Sequence, residues 1–138
     1  FSTELAAAYP DAGLRSWNRT VTLERGAHPR VVVDDSWAFA DEHAEQIGGP
    51  TALHLLIAGD VELVGDGARI TPLDGASTVR VRWLPELEAA TTVRDLDDPM
   101  LSTVWGARLT RIELDVTHHR AARVTVELDT TTPEDPHA

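Results

Sequence analysis

The sequence predicts an all-β fold, an antiparallel β-sandwich of about eight or nine strands. Three observations predict it. Stretches of period-two alternation recur along the chain, turns rich in glycine, proline and aspartate separate them at the spacing of a sandwich, and no helical stripe is long enough for a βαβ unit. At 138 residues the chain has the size of one domain and can bury a core without disulfides or metal. Residues 1–129 are read as that single domain and residues 130–138 as a flexible acidic tail, because Thr130 to Ala138 offers no large apolar side chain.

At the N-terminus, Thr3 to Ala8 is compatible with helix and is stopped at Tyr9-Pro10, since proline disfavours helical geometry in the residue before it. A turn of helix or an irregular arm is expected there. Ser16 to Trp37 reads as a β-hairpin. Trp17, Val21 and Leu23 share one side of the first arm, while Asn18, Thr20, Thr22 and Glu24 share the other. The second arm, Arg30 to Asp35, holds three consecutive valines, and Gly26, His28 and Pro29 supply the turn. Arg19 breaks the pattern by falling on the apolar side, so it is expected to be partly buried and paired with Asp34 or Asp35 across the hairpin.

Ala38 to Gly49 is acidic and ends in Gly48-Gly49-Pro50, which reads as a loop with Asp41, Glu42 and Glu45 solvated. Thr51 to Ala58 is the most apolar run and is expected centrally in a sheet, with His54 on the face opposite Leu53, Leu55 and Ile57. Val61 to Val64 and Ala68 to Thr71 are two short strands, joined through Asp66-Gly67 in a turn whose central residues both need positive φ. Asp74-Gly75 marks another turn. Thr78 to Trp83 alternates, with Val79, Val81 and Trp83 inward. Leu84 to Pro99 is read as a loop followed by a short strand and closed by a turn at Asp97-Asp98-Pro99. Ala107 to Thr117 sends Ile112, Leu114 and Val116 inward, and Arg123 to Asp129 does the same with Val124, Val126 and Leu128. These last two strands are expected to pair through a hairpin loop at His118 to Ala122.

Twelve basic residues against 23 acidic ones give a formal charge of −11, which opposes long-range attraction to nucleic acid, anionic lipid or sulfated glycan. Every basic residue is arginine, a bias attributed to coding preference. With no cysteine there is neither a disulfide framework nor a thiolate metal site. No apolar run is long enough to span a bilayer, and the first residues lack the basic-then-apolar pattern of a signal peptide.

Taken in order, Ala8-Tyr9-Pro10, Ala12-Gly13-Leu14, Ser16-Trp17-Asn18-Arg19, Val21 to Gly26 and Val31 to Asp35 resemble the β-sandwich region of heparinase II/III-like polysaccharide lyases. Thr51-Ala52-Leu53-His54, Val104-Trp105-Gly106 and Leu109 to Ile112 resemble the way such proteins finish. The resemblance covers nearly the whole chain. It implies the C-terminal part of a longer bacterial enzyme in which an α/α toroid, the expected partner, precedes the sandwich. Such enzymes cleave uronic-acid-containing polysaccharides by β-elimination, with catalytic groups from the toroid and the early sandwich strands, so the resemblance assigns no catalytic residue here and leaves this chain non-catalytic. It implies no cofactor, and it leaves cytoplasmic and extracytoplasmic locations both open. The alternatives are a carbohydrate-binding module and an interaction domain that exposes strand edges, with self-association through such an edge.

The candidate site residues are Arg19, Trp17, Trp37 and Trp83, each with a structural role beside a glycan-binding one. Indole faces stack on sugar rings, but three of the four tryptophans fall on inward or strand-end positions, where core packing outweighs a glycan platform. Arg19 serves either as a paired structural arginine or as a clamp on a glycan carboxylate. Asp95, Asp97 and Asp98 alternate as calcium ligands would, yet lack the glycine and distal glutamate of a dedicated loop, so capping and turn formation outweigh metal binding. His118-His119 has no metal spacing, and Asn18-Arg19-Thr20 matches a glycosylation acceptor placed on a strand rather than a loop.

Overall fold

Ten antiparallel strands in two unequal sheets make up the computed structural model, which describes residues 1–40, 50–73 and 77–128. The strands are β1 (Ser2–Glu4), β2 (Leu14–Glu24), β3 (Arg30–Phe39), β4 (Ala52–Ile57), β5 (Asp60–Val64), β6 (Gly67–Thr71), β7 (Val79–Arg82), β8 (Ala89–Asp95), β9 (Arg108–Asp115) and β10 (Ala121–Leu128), with one helix, α1 (Pro99–Trp105), between β8 and β9. Seven strands form one sheet in the order β1-β2-β3-β10-β7-β6-β5, and three form the other in the order β4-β9-β8. The all-β sandwich expected from the alternation is the observed fold.

The hairpin of β2 and β3 is the longest pairing in the molecule, running from Glu24 opposite Arg30 back to Leu14 opposite Phe39, with a register shift between Leu14 and Ser16. Its apolar side faces the smaller sheet. There Trp37, Val81, Ala68, Ile70, Ala122 and Val124 from the large sheet meet Leu53, Ile112 and Leu114 from the small one. Ile112, Leu114 and Val116 have no solvent exposure, as their inward alternation requires. Three strands cannot cover seven. On β2, beyond their reach, Trp17, Arg19 and Val21 are only half-buried and Leu23 is exposed.

Several expectations from sequence are corrected. The N-terminal arm is a strand, because Ser2 to Glu4 pairs along the edge of β2, and only then do two 3-10 turns follow at Ala6–Ala8 and Pro10–Ala12. The apolar run Ala52–Ile57 lies at an edge of the small sheet rather than its centre, and Leu56 on its outer face is exposed. Strands β9 and β10 do not pair. β9 lies between β4 and β8, whereas β10 lies between β3 and β7, so His118 to Arg120 carries the chain from one sheet to the other. Alternation fixes which face a side chain takes but not which neighbour a strand chooses.

The β5–β6 turn is centred on Gly65 and Asp66, one residue earlier than expected, and only Gly65 has positive φ. Gly67 belongs to β6 instead. A Cβ there would stand 2.2 Å from the carbonyl oxygen of Val81, so glycine is required for the close approach of β7. The turn expected at Asp97-Asp98-Pro99 begins α1. Asp98 caps that helix, its Oδ1 accepting from the backbone N–H of Met100 at 2.8 Å and of Leu101 at 3.2 Å, with Pro99 in the first helical position. The expectations for Asp41, Glu42, Glu45, Asp74-Gly75 and the tail from 130 to 138 lie outside the described residues.

Candidate functional site

Among the described residues, the inner face of the hairpin borders a cleft of about 560 Å³ between β2, β3 and the start of β4. Its organising group is the Asp35 carboxylate. In the register of the hairpin Asp35 stands directly opposite Arg19, and both point to the inner face. Asp35 Oδ1 accepts from Arg19 Nε at 2.8 Å and Oδ2 from Arg19 Nη2 at 3.0 Å, the paired geometry that a planar guanidinium favours. Oδ1 also accepts from the indole N–H of Trp17 at 2.7 Å. The carboxylate is almost wholly buried, at 2% side-chain exposure, while Arg19 keeps 32%. A charge this deep is tolerable because three donors surround it.

The guanidinium lies over the Trp17 ring, 5.4 Å from its centroid, and the Tyr9 ring is tilted against the same indole at 5.1 Å. Tyr9 is placed by the turns that precede β2. The Glu4 carboxylate accepts from the backbone N–H of Trp17 at 2.8 Å and of Ala6 at 2.9 Å, fixing the arm to the strand. These bonds, that from Trp17 foremost, hold the Glu4 carboxyl below its ordinary pKa. Gly13 closes the second turn at φ 63°, and its carbonyl accepts from Ala40 N at 2.9 Å, so the far end of β3 is tied to the cleft wall.

Trp37, Thr51 and Val116 line the cleft as well, and backbone hydrogen bonds fix them. Val116 N donates to the Thr51 carbonyl at 2.9 Å, and Trp37 N donates to the Arg120 carbonyl at 2.9 Å. Trp37 is buried at 7% exposure, and its indole N–H has no acceptor among the described residues. Neither a protein-family model nor a curated protein matches the chain.

Of the residues singled out from sequence, the structure brings Arg19, Trp17 and Trp37 together on this cleft. Trp83 does not join them; it is buried in the core. Between the two partners left open for Arg19, the structure selects Asp35, while Asp34 bonds Arg123 at 2.6 Å on the outer face. Tyr9 and His54 also reach the cleft, and His54 Nε2 lies 3.1 Å from Glu113. Asn18 is exposed on the outer side of β2. Asp98 is occupied in capping α1, and among the described residues no cluster of three or more His, Asp or Glu is placed to hold a metal. Sequence reasoning left Tyr9 outside the site, because its approach to Trp17 depends on two 3-10 turns that composition does not signal.

Proposed function

We propose that the chain is a non-catalytic β-sandwich domain of a heparinase II/III-like polysaccharide lyase, and that it supports the catalytic α/α toroid of the same polypeptide. On this reading the whole enzyme cleaves uronic-acid-containing polysaccharides by β-elimination, with its base and carboxylate-neutralising groups elsewhere. The supporting observation is the state of Asp35. Elimination needs a free proton acceptor beside a group that neutralises the substrate carboxylate. Here the carboxylate beside the cationic Arg19 is committed to three hydrogen bonds, so the pair is a structural brace for the hairpin. Tyr9 is the one remaining hydroxylated ring on the cleft, which makes turnover by the chain alone a sharp test. Incubating the isolated chain with uronic-acid polysaccharides should produce no 4,5-unsaturated product, read by its near-ultraviolet absorbance. Product that disappears in a Tyr9→Phe variant would contradict the proposal.

A second reading, a carbohydrate-binding module, is favoured by the cleft itself, which has the dimensions of a small-ligand site and an aromatic wall. Titration of uronic-acid oligosaccharides against the isolated chain separates the two.

A further inference from the structure

We propose that the outer face of α1 is a docking surface for a partner polypeptide that presents an apolar stripe edged with lysine or arginine. Neither the residues of this surface nor its test depends on the lyase reading.

Helix α1 is turned inside out. Met100, Leu101, Val104 and Trp105 stand three and four residues apart and so form one stripe, and all four are exposed, from 47% for Leu101 to 77% for Met100. Within the helix only Ser102 is partly withdrawn from solvent. A surface helix ordinarily buries its apolar stripe and wets its polar side. Single apolar side chains on a surface need no explanation, but a contiguous exposed stripe marks an interaction site.

The polar groups of α1 are already satisfied. The Asp98 side chain accepts from the N–H groups of Met100 and Leu101, and the N–H groups of Ser102 and Gly106 donate to the carbonyls of Asp98 and Ser102. The hydroxyls of Ser102 and Thr103 donate to the Pro99 carbonyl at 3.3 and 2.6 Å. A partner can therefore cover the helix without stranding these groups. The end of the helix is also seated in advance, because Gly106 lies so close to Leu73 that a Cβ there would stand 2.3 Å from Leu73 Cδ1.

Charge selects the partner. Residues 95–107 contain three aspartates and no arginine, and Asp95 and Asp97 are exposed on the approach to the helix. Arg108, opposite Asp95 in the register of β8 and β9, is engaged by Asp60, and Arg94 alternates to the other face of β8. A second copy of the chain brings the same carboxylates and a charge of −11, so it meets repulsion, as does an anionic bilayer. An apolar stripe edged with cations meets burial at the centre and attraction at the rim.

The test titrates the isotope-labelled chain with two synthetic amphipathic helical peptides that share a leucine stripe, one edged with lysine and the other with glutamate, and follows the indole N–H signals. The lysine peptide should move the Trp105 signal and leave those of Trp17, Trp37 and Trp83 in place, and the glutamate peptide should bind at least about tenfold more weakly, a gap that salt narrows. The double variant Met100→Gln with Val104→Gln keeps good helix formers at exposed positions. It should weaken the lysine peptide about tenfold at an unchanged melting temperature. An unmoved Trp105 signal, equal affinity for the two peptides, or unchanged affinity in the double variant overturns the proposal. Light scattering of the chain alone and titration with phosphatidylcholine vesicles cover the other occupants. A dimer that the double variant dissolves gives the face to a second copy, vesicle binding that it abolishes gives the face to lipid, and either result overturns the proposal.

Discussion

Arg19 and Asp35 face each other across the β2–β3 hairpin in a two-point ion pair, with the anion buried and the cation reaching solvent. The asymmetry sets an order of costs. Arg19→Ala leaves a buried, unpaired carboxylate and should lower stability by about 3 kcal/mol, whereas Asp35→Ala leaves a cation that can turn to water and should cost less. The double variant should cost less than the sum of the two. Denaturant melts of the three variants check the order; equal, negligible costs would mean the pair does not brace the hairpin.

Gly67 admits no side chain. Gly67→Ala would push a methyl against the Val81 carbonyl across the β6–β7 pairing and should destabilise the protein by about 2 kcal/mol, with Val81 amide protection falling in hydrogen exchange. A substitution at Gly65, where φ is 56° and no described residue lies within 4 Å, acts through backbone strain and should cost less.

Ile112 is fully buried where the two sheets meet, opposite Leu55 and Thr91 within its own sheet. Ile112→Ala should cost about 2–5 kcal/mol in the same melts, since both sheets lose contacts to the cavity.

Glu4 gives the arm a pH dependence. Its folded carboxyl has a pKa below the ordinary 4.5, held down by the N–H groups of Trp17 and Ala6. A depressed carboxyl contributes stability above its unfolded pKa and loses that contribution as pH falls through the folded value. The melting temperature of Glu4→Gln should therefore lie below that of the wild type at neutral pH, and the gap should close on acidification below the ordinary carboxylate range. A gap that is constant with pH would assign the effect to the side-chain change rather than to charge.

Of the tryptophans, Trp105 is about half exposed at the end of α1, while Trp37 and Trp83 are buried. Trp105→Phe should remove most of the quencher-accessible fluorescence and leave stability within about 0.5 kcal/mol.

The hairpin was legible because both of its determinants are local. The turn around Ala27 sets Glu24 opposite Arg30, and alternation from there puts Arg19 opposite Asp35 on the face of Trp17 and Val21. The inward sets Ile112, Leu114 and Val116 were legible for the same reason. What the sequence concealed is long-range. The alternation of Ala121–Leu128 is satisfied equally beside β9 or in the other sheet, and the structure chooses the latter, with Trp37 N bonded to the Arg120 carbonyl. The edge position of Ala52–Ile57 was hidden because an apolar strand at an edge reads like one at the centre. Helix α1 was missed because Asp98-Pro99 opens a turn and a helix alike, and seven residues are too few to show helical period.

The proposed supporting role is tested most directly by producing the longer polypeptide that the proposal requires, with and without residues 1–128, and comparing the thermal unfolding of the remainder. If this sandwich braces that part, removal lowers the melting temperature and the turnover of uronic-acid polysaccharide together, and Arg19→Ala in the whole protein moves both in the same direction. Identical unfolding and turnover after removal would contradict the account.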